Sequence, residues 1–318
     1  MERHVLEYLR GLQIYPKQLE KSARETNSIV YMGLDLVREA LPFNLRNEPR
    51  GFLLFAEEIF EAMERRNINC AAFKPNQGFY AVQGSQGYEN LNRMIQYISH
   101  HFFETPVILD YKRGDIGPSS ENYAKEAFFF GEIHAVTVSP YMGTDSVEPF
   151  LKNCLPLTED DITKGEDHIR KIRFNKGVYI LNRTSNKGAV DFQNLELKDG
   201  RFLYEAVAEK IIEWSKKYPG TGAVVEVISL EELRKLAKKY APHNVPLLIP
   251  VEGKQGGSAK EVVAVLREVS YPLYLARINS SSRITHPWFA KKGEAPGNYG
   301  NICVNELQKL NEEIGPIF

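Results

Sequence analysis

The chain has 318 residues, 43% of them hydrophobic and 25% charged, and its 40 Lys and Arg against 41 Asp and Glu leave a formal net charge of −1. That is ordinary globular composition without the basic excess of a nucleic-acid binder, so an anionic ligand has to be held by a local cluster of donors. Met1 to Glu25 alternates charge with apolar residues instead of carrying the apolar run of a signal peptide, and no stretch approaches the ~18 apolar residues of a membrane span, so a cytoplasmic protein with no membrane or nucleic-acid partner is expected.

In chain order, a charged N-terminal helical extension (about 1–25) precedes eight short apolar runs that read as strands: Ser28 to Asp35, Ile68 to Lys74, Pro106 to Asp110, Ala135 to Val138, Val178 to Leu181, Ala223 to Val227, Pro246 to Pro250 and Leu273 to Ile278. Amphipathic segments lie between them. Gly51 to Arg66 puts Phe52, Phe55, Ile59 and Met63 on one stripe, and Glu89 to Phe103, Ser120 to Phe130 and Phe202 to Lys217 follow the same period. Ser229-Leu230-Glu231-Glu232 and Ser258-Ala259-Lys260-Glu261 read as capping boxes that open helices after strands. Asn305 to Ile314 reads as the final helix, and the charged stretch 155–173 as a solvated insertion.

Eight strands alternating with helices in a chain of this length predict an α/β fold, a single-domain (β/α)₈ TIM barrel over 1–318. The rival open, doubly wound sheet usually carries a glycine-rich phosphate turn after its first strand, and Gly33-Leu34-Asp35-Leu36-Val37 has none.

In a barrel the active site sits at the C-terminal strand ends. Here the first strand ends at Asp35, the second at Lys74, and the third at Asp110 followed by Lys112. Charges at such positions are paired or functional, because unpaired burial costs several kcal/mol or more. Asp110 and Lys112, two residues apart, point to the same side of an extended segment, where Asp35 and Lys74 can meet them. Asp115 follows in the loop opened by Gly114. An ordinary salt-bridge network explains any one of these residues, whereas their placement at consecutive strand ends points to an active site.

The run Asp110-Tyr111-Lys112-Arg113-Gly114-Asp115 resembles the Asp-x-Lys-x-x-Asp signature of the orotidine 5′-phosphate decarboxylase family, in its longer bacterial (type 2) branch. Ala72-Phe73-Lys74-Pro75-Asn76 precedes it and Glu121-Asn122-Tyr123-Ala124 follows. Val138 to Asp145, Arg183-Thr184-Ser185-Asn186, Asp191-Phe192-Gln193, Gln255-Gly256-Gly257 and Ser282-Arg283-Ile284 match further family motifs in order, so the likeness spans roughly Gly33 to Ile284. The resemblance implies decarboxylation of orotidine 5′-phosphate to uridine 5′-phosphate in pyrimidine biosynthesis, with no cofactor or metal.

It also implies roles. Lys112 protonates C6 of the pyrimidine, and Asp110 lies beside the substrate carboxylate. Asp35 and Lys74 hold ribose hydroxyls. Asp115 reaches the neighbouring subunit's ribose in a homodimer, with Ser119 where threonine is usual. Ser185 meets the pyrimidine edge, and Gln255, Gly256, Gly257 and Arg283 hold the phosphate. The chain departs from the family's pattern at Val251, Glu252 and Lys254 in the proposed phosphate loop, at Lys187 after Asn186, and at Val225-Glu226-Val227 ending the sixth strand. Two other activities are compatible with such a barrel: a metal-dependent sugar-phosphate decarboxylase or aldolase built on a similar core, and a catalytically weak uridine-nucleotide binder.

Other residues have plainer readings. Cys70, Cys154 and Cys303 lack metal or redox spacing and read as small buried hydrophobes. His100 and His101 suit a helix C-terminus, and His134 and His286 lack the spacing of a metal site. Arg113 reads as a solvated salt-bridge partner, and Tyr123 and Phe128 to Phe130 as helix packing.

Overall fold

A computed structural model describes residues 14–129, 132–165, 168, 173–251 and 257–318. The strands are β1 (Val30–Leu34), β2 (Ala72–Pro75), β3 (Ile108–Arg113), β4 (Ala135–Val138), β5 (Gly177–Arg183), β6 (Thr221–Val225), β7 (Leu247–Pro250) and β8 (Ala276–Ser280). They form one parallel sheet in the order β2-β1-β8-β7-β6-β5-β4-β3. Two parallel bridges, Phe73 to Val107 and Asn76 to Asp110, join β2 to the other edge and close the barrel. The expected TIM barrel is therefore the observed architecture.

The helices, in chain order, are α1 (Tyr15–Thr26), α2 (Gly51–Arg66), α3 (Gln77–Ala81), α4 (Ser85–His101), α5 (Gly117–Phe129), α6 (Thr144–Leu151), α7 (Glu159–Thr163), α8 (Leu203–Lys217), α9 (Leu230–Tyr240), α10 (Ala259–Glu268), α11 (Ser282–Thr285) and α12 (Tyr299–Ile314). The stripe of α2 is buried as its period requires, with Phe55 stacked on Tyr299 of α12 at 4.8 Å. Ser258 and Glu261 form the full reciprocal cap of α10, and Ser229 accepts the Glu232 N–H to start α9. No helix among the described residues is long and apolar enough to cross a membrane.

Several boundaries differ from the sequence reading. Leu273–Leu275 forms a 3₁₀ turn after Pro272, so β8 starts only at Ala276. The last helix begins at Tyr299, six residues before Asn305. The charged insertion carries a short helix, α7, opened by a capping box of Thr158 and Asp161. Residues 1–13 of the extension, Phe130, and residues 166, 167 and 169–172 of the insertion lie outside the described residues.

α1 covers the N-terminal mouth. The Tyr15 ring packs against the start of β5, where a Cβ on Gly177 would stand 2.4 Å from it. The Leu19 carbonyl accepts from Arg277 of β8, wholly buried among tyrosines. That end is plugged, so access to the charged residues is from the opposite, C-terminal face.

Candidate active site

Lys74, next to last in β2, is almost fully buried and donates to Asp35 Oδ1 at 3.3 Å and Asp110 Oδ2 at 3.0 Å. The other carboxylate oxygen of Asp110, Oδ1, accepts from Lys112 Nζ and from the Thr137 hydroxyl at 2.9 Å. Asp35 is fixed on its far side by Ser281, whose hydroxyl donates to Oδ2 at 2.7 Å. Gly33 makes that approach possible, since a Cβ there would stand 1.9 Å from Ser281 Oγ. Ser281, Asp35, Lys74, Asp110 and Lys112 thus form one chain of alternating donors and acceptors across β8, β1, β2 and β3.

The electrostatics follow from the pairing. Burial alone would push the Asp110 carboxyl up, but the ammonium groups of Lys74 and Lys112 outweigh it and hold it well below the usual carboxylate range. Burial would likewise lower Lys74, and Asp35 and Asp110 instead keep it above its ordinary value. Asp110 and Lys74 are therefore both charged in the neutral range. The two lysines differ in access: the side chain of Lys74 is 4% exposed and that of Lys112 is 43% exposed. Only Lys112 presents its ammonium to a ligand.

The geometry at Lys112 departs from the extended segment expected. Its φ is +50°, in the left-handed region, a conformation that costs about 1–2 kcal/mol for a residue bearing a Cβ. Between Leu109 and Arg113 the pairing of β3 with β4 slips. Asp110 and Lys112 do meet, but across a bulge and not on a regular pleat.

The remaining predicted residues divide into two groups. Asp115 lies just beyond β3, half-buried; its Oδ1 accepts the Ile116 N–H at 2.7 Å, and it makes no bond to Lys112. Ser119 sits in the first turn of α5, and its neighbour Ser120 is the residue that anchors Asp115, through backbone bonds to Oγ. Ser185 gives both its N–H and its hydroxyl to Glu226 Oε2, at 2.7 and 2.5 Å. Glu226 is one of the departures noted at the end of the sixth strand. Arg283, in α11, is turned to Glu313 of α12, with Nη1 donating to Oε2 at 3.1 Å and Nη2 to Oε1 at 2.5 Å. Gly257 has φ +96° at the entrance to α10, while Gln255, Gly256, Glu252 and Lys254 lie outside the described residues.

The plainer readings divide too. All three cysteines are free and buried, and burial pushes the Cys70 thiol up to about 12. His134 accepts the Val107 N–H at 3.1 Å, and burial holds it down at about 3. His101 closes α4 with a bond to Glu64 at 2.9 Å. Arg113 differs from the solvated ion pair expected: it lies over the rings of Tyr111 and Tyr123 at 4.9 and 5.1 Å and donates to Gln77 at 3.0 Å. Thr137 and Ser281 were absent from the sequence reading; a Thr within an apolar strand looks like any β-branched strand former.

Comparison with known proteins gives a consistent picture. The profile of the orotidine 5′-phosphate decarboxylase / HUMPS family matches residues 28–269. The chain is 35% identical over 256 residues to the orotidine 5′-phosphate decarboxylase of Herpetosiphon aurantiacus, covering 80% of this chain and 85% of that one. It is 36% identical over 249 residues to the enzyme of the same name from Ralstonia pickettii, covering 78% and 82%. Among solved structures it is similar to the OMP decarboxylase of Leishmania donovani, with a TM-score of 0.69 and 26% identity over 95% of this chain and 99% of that one.

Proposed function

The chain belongs to the orotidine 5′-phosphate decarboxylase family, and we propose that it converts orotidine 5′-phosphate to uridine 5′-phosphate and CO₂ with Lys112 as the proton donor. The observation that carries this reading is the division of labour around Asp110: one oxygen is held by a buried lysine and the other by an exposed one.

Breaking the C6–carboxylate bond leaves an electron pair on C6 in the plane of the ring, where the π system cannot spread it. Stabilisation then has to come from a fixed cation beside C6. Lys112 supplies that cation and afterwards its proton, which forms the new C6–H bond and leaves a neutral amine to be reprotonated by water. Two unit charges ~4 Å apart at an effective dielectric near 20 attract by about 4 kcal/mol. That is a useful part of the ~8–23 kcal/mol by which enzymes commonly lower barriers.

Asp110 holds the Lys112 ammonium in place, and lies beside the substrate carboxylate. Asp35, with Lys74 behind it, meets ribose hydroxyls. Ser185 meets the pyrimidine edge. Gln255, Gly256, Gly257 and Arg283 form the phosphate side, where a planar guanidinium suits bidentate contact; Arg283 has to leave Glu313 to serve there. Asp115 and Ser119 act on a second subunit of a cytoplasmic homodimer.

A spectrophotometric assay with orotidine 5′-phosphate, with and without chelator, tests the activity. Chelator-sensitive turnover of a sugar phosphate and none of the nucleotide would sink the proposal. Binding of uridine 5′-phosphate without turnover at high enzyme concentration would make the protein a binder only. Lys112→Ala and Asp115→Ala proteins, each nearly inactive, should regain part of their activity when mixed as heterodimers. No recovery in verified heterodimers would remove Asp115 from the partner's site.

A further inference from the structure

We propose that Thr137 is a positioning residue for the reaction: its single hydroxyl fixes the bulge of β3 that sets Lys112 beside Asp110. The inference rests on Lys112 being the proton donor.

Leu109 pairs with Val136 and Arg113 with Val138, so Asp110, Tyr111 and Lys112 all lie opposite the one residue Thr137. A bulge of this kind leaves backbone groups without ladder partners. Here the N–H groups of Tyr111 and Lys112 both donate to Thr137 Oγ1, at 2.9 and 3.0 Å. The hydroxyl's own proton goes to Asp110 Oδ1 at 2.9 Å, the oxygen that also accepts from Lys112 Nζ. One donor and two acceptor sites are all that a hydroxyl has, and all three are used on three consecutive residues.

Thr137 is 1% exposed, so bulk water is not at hand to replace it. Its bonds address both ends of the Lys112 geometry. The backbone bond holds the residue in its left-handed conformation, and the bond to Asp110 orients the carboxylate against which the ammonium rests. Side chains alternate faces along a strand, so a change of one residue in the bulge would turn Lys112 from the barrel mouth toward the helices. The hydroxyl thus does what the strand's own ladder cannot: it satisfies the irregular backbone that the ammonium's position requires.

The test compares Thr137→Val, which keeps the shape and loses all three bonds, with Thr137→Ser, which keeps them. Turnover of orotidine 5′-phosphate is read as kcat and KM separately, alongside amide hydrogen exchange at Tyr111 and Lys112. T137V should lose kcat by about 10²-fold, as misplacing a reacting group by ~1 Å does, with a KM within about threefold of wild type. The two amides should lose protection. T137S should restore both readouts. If T137V does not fold, T137A replaces it, with the same loss expected relative to T137S.

A T137V protein that melts at lower temperature yet keeps its kcat would overturn the positioning role and leave only a structural one. T137S falling as far as T137V would overturn it too. Wild-type protein without turnover would instead refute the function on which the inference rests, while the amide readout would still report on the bulge.

Discussion

The rim formed by β1, β2 and β3 and the rim formed by β5 to β8 are built differently. On the first, every charge of Asp35, Lys74, Asp110 and Lys112 is matched by another of the four, across strands for Lys74 and within β3 for Lys112. On the second, the predicted ligand contacts are occupied by other parts of the chain: Ser185 by Glu226 and Arg283 by Glu313. The difference separates two tasks. A cation that must meet a transient charge works best when held in advance, because no reorganisation is then needed as the charge appears. Groups that grip a substrate can be released from internal partners when it arrives, and that release weakens binding without touching the chemical step.

Lys112→Ala should lower kcat by about 10³-fold, in line with removal of one preorganised electrostatic contact, while the affinity for uridine 5′-phosphate stays close to wild type in calorimetry. Loss of binding with unchanged turnover of bound substrate would reverse the assignment of the two rims.

Lys74→Met should act first on stability. It leaves Asp110 buried with one cation fewer, and breaking a buried pair typically costs about 3–5 kcal/mol, visible in denaturant titration. The pH dependence has a definite sign. Asp110 is held below its ordinary value, so its contribution is present above the unfolded-state carboxylate value and fades as pH falls through the lower folded value. Lys74 is held above its ordinary value, so its contribution is present below the unfolded-state lysine value and is lost as pH rises through the folded one. Wild-type stability from this pair is flat across neutral pH; a melting transition that rose or fell steeply between about pH 6 and 8 without a histidine cause would contradict it.

On the second rim, Arg283→Ala should raise KM by about 10- to 100-fold, the value of a charge-assisted hydrogen bond, and leave kcat nearly unchanged. Glu313→Gln should do the opposite and less: freeing Arg283 from a partly exposed pair should lower KM by about two- to fivefold. An increase in KM on losing Glu313 would mean that the pair holds Arg283 in its working position.

Sequence legibility follows the same division. The eight strands could be read because each is a local signal, a short apolar run, and the charges of the first rim because the first three of those runs end at Asp35, Lys74 and Asp110, with Lys112 two residues on. Residues 135–138 match β4 at both ends because flanking polar residues bound a run of β-branched side chains. The start of β8 was obscured because Leu273–Leu275 is apolar yet turns as a 3₁₀ segment after Pro272. The bulge at Lys112 could not be read, since Asp-x-Lys spacing fits a flat strand equally well. Thr137, Ser281 and the diversion of Arg283 all depend on contacts between residues distant in sequence, which no local period records.

The most direct measurement is decarboxylation of orotidine 5′-phosphate by purified wild-type protein, followed by the loss of orotate absorbance, beside Lys112→Ala. The wild type should give stoichiometric uridine 5′-phosphate, unaffected by chelator, and the variant should lose about three orders of magnitude in rate. Equal rates from the two proteins would contradict the place given to Lys112, and no product from wild type at micromolar enzyme would contradict the function itself.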